Sequence, residues 1–149
     1  MKGTRLRTLR GSIDTLDGNI KKQLILDDGR PNHGLRILDF QIWTDNLNPV
    51  GGGSFTLSME VITPAAMFNA EDNRQIAWAA GGYDNNVPVA VTWRTIVDPD
   101  HIINRDLFLN GFCSVGRWNY LITCQEYILS DEEAVISIIK ETAQSVGTD

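Results

Sequence analysis

Few residues in this sequence have types and spacings that could do chemistry. The densest group is Asp98-Pro-Asp-His101, two carboxylates and an imidazole within one short run. Carboxylate oxygens with nearby carbonyls would suit calcium. The same run is also what a turn before a strand needs, because Asp side chains accept hydrogen bonds from backbone N–H groups just ahead of them. Asp27-Asp28 before Gly29 reads the same way. The other histidine, His33, is 68 positions from His101, and no His-x-His, His-Glu-x-x-His or Cys-x-x-Cys occurs. Neither a His-rich metal centre nor a cofactor is expected. Cys113 or Cys124 would become a nucleophile only if the fold brought it to His101. A strand cysteine such as Cys124 reads first as a small buried hydrophobe. No Gly-x-Ser-x-Gly elbow is present, and Gly51 to Gly53 lead into neither a Gly-Lys-Ser/Thr ending nor a helix. Nothing marks a pair of acids for glycoside hydrolysis, so a small hydrolase is the third choice.

The four tryptophans are Trp43, Trp78, Trp93 and Trp118. Trp43 and Trp118 fall near strand ends, where exposed rings bind sugars or partners. Scattered over several strands, the four read first as core and interface residues. A ligand-binding sandwich for carbohydrate or calcium would use Trp43, Trp93, Trp118, Asp98 and Asp100. That is the alternative to a protein without enzymatic activity.

The elements that would position these residues are mostly strands. Phe55, Leu57, Met59 and Val61 alternate with Ser54, Thr56, Ser58 and Glu60, which predicts a strand over 54–61 with one wet face. Leu38, Phe40 and Ile42 alternate with Asp39 and Gln41 over 35–43. Further strands are expected over 20–26, 75–80, 87–96, 101–110 and 118–129. In the last of these, Tyr120, Ile122, Cys124 and Ile128 share one face and Leu121, Tyr127 and Leu129 the other, so cover on both sides is expected. Segments 11–19, 44–53, 81–86 and 111–117 read as connections, and 63–74 as a helical turn or irregular crossover. Seven or eight strands without βαβ alternation predict an antiparallel β-sandwich, jelly-roll-like.

One α-helix should close the chain, over about 130–147. Ser130 is a good N-cap and Glu133 completes a capping box. Val135, Ile138, Ile139, Thr142 and Val146 form an apolar stripe, and Gly147 is the expected stop. The stripe needs a partner, either the chain's own sheet or a neighbouring subunit.

A 149-residue chain makes one domain, here an arm over 1–10, a sandwich over 11–129 and the helix. With 42% hydrophobic and 21% charged residues it has the composition of a soluble globular protein. No run reaches the roughly 20 apolar residues of a membrane span. The leading residues are basic without an apolar stretch, so no secretory signal is expected. Two cysteines make no disulfide framework, which points to synthesis in a reducing cytoplasm. Residues 1–30 hold seven basic residues against four acidic ones, leaving +3 there and −9 over the rest of a chain of net charge −6. Arg5, Arg7 and Arg10 make residues 1–10 a cationic arm or an edge strand protected by charge. As an arm, the segment could be deleted without loss of folding. The acidic total argues against a dedicated nucleic-acid binder.

Three segments, Leu26 to Trp43, Val97 to Leu109 and Tyr120 to Gln144, carry a resemblance. The chain resembles small β-rich virion proteins of environmental, especially marine, bacteriophages: decoration, minor capsid and jelly-roll coat subunits. The resemblance covers most of the chain and implies no catalytic residues. It implies a homo-oligomer, with a trimer among the options, that contacts other virion proteins, and a virion location after synthesis in the host cytoplasm. Arg5, Arg7, Arg10, Val135, Ile138, Ile139 and Val146 would carry the contacts.

Overall fold

The computed structural model describes residues 2–15, 18–25, 32–44, 51–83, 92–104, 106–114 and 116–136. The strands are β1 (Lys2–Thr15), β2 (Asn19–Ile25), β3 (His33–Thr44), β4 (Gly51–Ser58), β5 (Gln75–Tyr83), β6 (Thr92–Val97), β7 (Ile102–Ile103), β8 (Leu107–Cys113) and β9 (Gly116–Ile128). They form two antiparallel sheets, ordered β1-β9-β3-β7 and β2-β8-β4-β5-β6. The hydrogen-bonded pairs nest: β1 with β9, β2 with β8, β3 with β7, β4 with β5. Successive pairs alternate between sheets, as in a long hairpin rolled on itself. This is the strand order of a jelly-roll sandwich, with β6 added at one edge.

Alternation puts an apolar set from each sheet into one core. Phe40, Ile42, Trp118, Ile122 and Cys124 from the first sheet meet Phe55, Leu57, Ala77, Leu107 and Leu109 from the second. Phe55 and Trp118 bridge the sheets with ring centroids 5.2 Å apart. Gly111 lies directly opposite Phe55 on the neighbouring strand. A Cβ there would approach the Phe55 ring to 2.5 Å, so the missing side chain is the space the ring occupies.

Several sequence expectations change here. Expected strand 101–110 is two strands, because β7 ends at Ile103 in one sheet and β8 begins at Leu107 in the other. In β3 a register shift between Ile37 and Asp39 marks a bulge at Leu38. The extra residue reverses the alternation, so Ile37 is buried along with Phe40 and Ile42, while Leu38 is 47% exposed. The expected connection 11–19 belongs largely to β1, which runs to Thr15, and the turn into β2 is short. Gly18 takes φ +83° at that turn, and its carbonyl accepts the Cys113 N–H at 2.7 Å. Gly51–Gly53 and Gly81–Tyr83, read as loop and turn, extend β4 and β5.

Strand β4 ends at Ser58, and its presumed wet face is dry: Thr56 and Ser58 are fully buried. The crossover 59–74, with a 3₁₀ turn at Pro64–Ala66, folds beside that face. Asn110 of β8 reaches into it. Its side chain accepts the Ile62 N–H at 3.0 Å and donates to Thr56 O at 3.3 Å and Ser58 Oγ at 2.6 Å. Asn110 and Ser58, whose Oγ donates to Glu60 O, therefore partner the covering loop, while the Thr56 hydroxyl is buried without a hydrogen-bond partner among the described residues.

The helix begins as its cap requires. Glu133 N–H donates to Ser130 Oγ and Ser130 N–H donates to Glu133 Oε1, both at 3.2 Å, the reciprocal capping box. Residues 131–136 are helical and are here called α1. Its buried residue is Ala134; Val135 is 54% exposed. Asn104 Nδ2 donates to Ala134 O at 3.3 Å, placing this turn beside the segment that follows β7.

Candidate functional site

The basic residues proposed for contacts sit on an edge strand. Residues 2–10 pair with 121–128 of β9, and β1 has no strand neighbour on its other side among the described residues. A long run of small and charged residues (Lys2, Gly3, Thr4, Arg5, Arg7) suits an exposed edge. Arg5 and Arg7 both reach Glu126 of β9. Arg5 Nε donates to Oε2 at 2.6 Å and its terminal nitrogen to Oε1 at 3.3 Å; Arg7 adds a 3.4 Å bond to Oε1. The bond from Arg5 holds the Glu126 carboxyl below its ordinary range, against the upward push of burial. The same pair raises the Arg5 guanidinium. Arg10 is exposed further along the strand. Leu6, at the register shift between Gly3 and Leu6, is 64% exposed.

The helix contributes Val135 and Ile136 as exposed apolar side chains beside the buried Ala134. Ile138, Ile139 and Val146, and the rest of the expected helix, lie outside the described residues.

The residues named for ligand binding do not converge. Trp118 is 3% exposed and packs inward on Phe55, while Trp43, opposite Asn119, points outward at 43% exposure. Adjacent strand positions face opposite ways, so these two rings cannot form one platform. Trp93 is the second residue of β6, but its side chain lies outside the described residues, as do Asp27-Asp28. Asp98 Oδ1 accepts the Asp100 N–H at 3.0 Å, the side-chain-to-backbone turn the sequence suggested. Among the described residues no three His, Cys, Asp or Glu side chains are grouped to hold a metal ion. His101 Nε2 lies 3.2 Å from Met59 Sδ, and Cys124 Sγ donates to Arg7 O at 3.4 Å. Burial pushes the Cys124 thiol up, the wrong direction for a nucleophile. No protein-family model, curated protein or solved structure matches this chain.

One constellation escaped the sequence reading altogether. Asp72 is 2% exposed and is gripped by Arg74 through Nε at 2.8 Å and a terminal nitrogen at 2.7 Å, with the Arg74 N–H at 3.0 Å. Gln75 donates to Asp72 Oδ2 and to Ala66 O, while its own oxygen accepts from Asn69 N–H and the Trp78 indole. The Ala66 carbonyl and the Asn69 N–H thus flank Phe68, which has φ +62°, a strained conformation for a bulky residue. The clamp belongs to the covering crossover, and its chemistry is structural. The signal was Asp72-x-Arg74-Gln75 just before a strand, which composition alone does not separate from a solvated loop.

Burial pushes the Asp72 carboxyl up, but the Arg74 and Gln75 bonds outweigh it and hold it below the ordinary carboxylate range. A depressed folded-state value means stability that is fully present above the unfolded value of about 3.9 and is lost as pH falls through the folded value. Asp72→Asn should cost about 2 kcal/mol at pH 7, the scale of hydrogen bonds to a charged group. The gap between variant and parent should shrink as pH falls below about 4, where the unfolded chain takes up the proton, and close once the folded carboxyl is protonated too. Urea unfolding at neutral pH and at about pH 3 checks this; an equal gap at both would refute a charge-based clamp.

Proposed function

We propose that the protein is a non-enzymatic structural component of a bacteriophage virion, a capsid, decoration or minor capsid subunit. It works by binding copies of itself and other virion proteins. The observation that carries this reading is β1: a 14-residue edge strand, charged along its length, whose second hydrogen-bonding side meets no strand among the described residues. A sandwich that closes its core internally leaves edges, ends and terminal elements for neighbours. The exposed Leu6 on β1 and Val135 and Ile136 on α1 add apolar contact area at those places. The resemblance of three segments to phage virion proteins points the same way.

Light scattering on the full chain at micromolar concentration tests the reading. The expected mass is a multiple of the 16.6 kDa chain. A monomer that stays monomeric as concentration rises would remove its basis. Symmetric closure is the default for homo-oligomers, so a discrete mass rather than a continuous ladder is expected.

A further inference from the structure

We infer that two copies of this chain pack face to face through the outer surface of the β1-β9-β3-β7 sheet, about a two-fold axis running along β9. This rests on the self-assembly reading above and gives it a surface and a symmetry.

Trp118, Tyr120, Ile122 and Cys124 of β9 point into the core, so Asn119, Leu121, Thr123 and Gln125 point out. Strand register carries that outer face onto both neighbours. On β1, Ser12, Arg10, Thr8 and Leu6 lie opposite those four residues in turn. On β3 the matching residues are Trp43, Gln41, Asp39 and Arg36, and the bulge adds Leu38. Leu6, Leu38 and Trp43 are exposed, and Leu121 between them is half-buried. Toward the start of β3 the face is closed. Ile102 and Leu129 fill the space over Gly34, where a Cβ would meet them at 2.6 and 3.2 Å. The open area therefore runs from Trp43 to Arg36, with apolar side chains on both flanks of β9.

This pattern is complementary to itself. Rotation by a half-turn about an axis along β9 keeps every residue at its height and lays β1 of one copy over β3 of the other. Leu6 then faces the partner's Leu38, and Leu121 and Thr123, on the axis, face their own counterparts. Arg10 comes within one row of the partner's Asp39. Inside one chain these two charges stand on opposite sides of β9. Arg10 has no acidic partner among the described residues, and Asp39 accepts only the Gln41 amide, at 3.0 Å. The two-fold supplies both missing partners, twice over. The other charges on the face do not oppose it. Arg36 lies over the Tyr127 ring, 5.1 Å from its centroid, on the far side of Asp39 from the incoming Arg10. Arg117, at the rim beyond Asn119, is held by Asp14 at 3.2 Å. Sheets stacked face to face sit about 10 Å apart, a gap that leucine and tryptophan side chains fill.

Sedimentation equilibrium of the full chain and four variants at micromolar concentration tests this. The parent should be a dimer. Arg10→Asp should weaken dimerisation about tenfold or more, and so should Asp39→Arg, because each sets like charges against one another at both ends of the contact. Arg10→Asp/Asp39→Arg should dimerise nearly as the parent does, since the exchanged charges meet again across the two-fold. Leu38→Glu should be monomeric. All four should melt close to the parent, because the replaced side chains lie on the surface and leave the core intact. A double variant as weak as the two singles would overturn the two-fold contact. An oligomer that none of the four variants disturbs, or an odd-numbered one, would overturn this face and leave a self-assembling subunit with another contact. A parent chain that stays monomeric would overturn the assembly reading as well, and would leave the face to the chain's own residues 137–149 or to a different protein.

Discussion

Deleting residues 1–10 should abolish the cooperative unfolding transition of the sandwich. The segment is most of β1, and residues 2–10 pair with β9 from Ile128 to Leu121. Net backbone hydrogen bonds of about 1 kcal/mol each, over that length, already approach the 5–15 kcal/mol that holds a domain together. The deletion also removes Leu9, which packs on the core opposite Ile122, and the partners of Glu126. It leaves β9, the strand that joins β1 to β3, as a new open edge. A freely detachable arm would do the opposite, leaving stability unchanged while impairing assembly. Far-UV circular dichroism with urea distinguishes them: a truncated chain that unfolds at the parent's midpoint would show that β1 adds nothing to folding.

The second large effect is at Phe55. Its ring is fully buried, bridges the sheets to Trp118, and lies over Gly111 and Gly53. Phe55→Ala should cost about 4 kcal/mol, the usual scale for an emptied aromatic site. Gly111→Ala should cost about 2 kcal/mol for the opposite reason, since its Cβ would meet the ring at 2.5 Å with little room to move. The two should not add. With the ring gone, the new methyl enters the space it left, so Phe55→Ala/Gly111→Ala should be less harmful than the sum of the singles. Chemical denaturation of all four proteins gives the cycle. Strict additivity would mean that the ring and the glycine do not share a space.

Much of this was legible in the residue order. The β class follows from period-two runs, such as Phe40 with Ile42 and Tyr120 with Ile122, which match the core. The helix start was legible because a capping box is local: Ser130 and Glu133 satisfy each other's backbone within one turn. The Asp98 turn was legible for the same reason. The places where the reading went astray are long-range. Thr56 and Ser58 look solvated in sequence, and only the crossover 59–74, tied to β8 through Asn110, buries them. Ile103 and Leu107 look like one strand, because inward-facing residues of two facing sheets share the same core. Leu38 looked like core, and a one-residue bulge moved it out.

The candidate surfaces divide in the same way. The sequence showed that the leading segment is cationic and the rest acidic, which is a matter of counting. It could not show that Arg5 and Arg7 converge on Glu126, because that depends on β1 pairing with β9. Nor could it separate Trp43 from Trp118.

By itself the sequence determined the strand periodicity, the helix cap, the turn at Asp98 and the charge imbalance between the chain's beginning and the rest. Each of these is set by neighbours within a few residues or by composition. Only the tertiary structure decided that residues 2–10 are a structural edge rather than an arm, which polar residues are buried, and which charges meet. Those outcomes depend on pairing between residues far apart in sequence, 52 positions for Asn110 with Ser58 and 121 for Arg5 with Glu126. No local pattern encodes which distant strand will supply the partner.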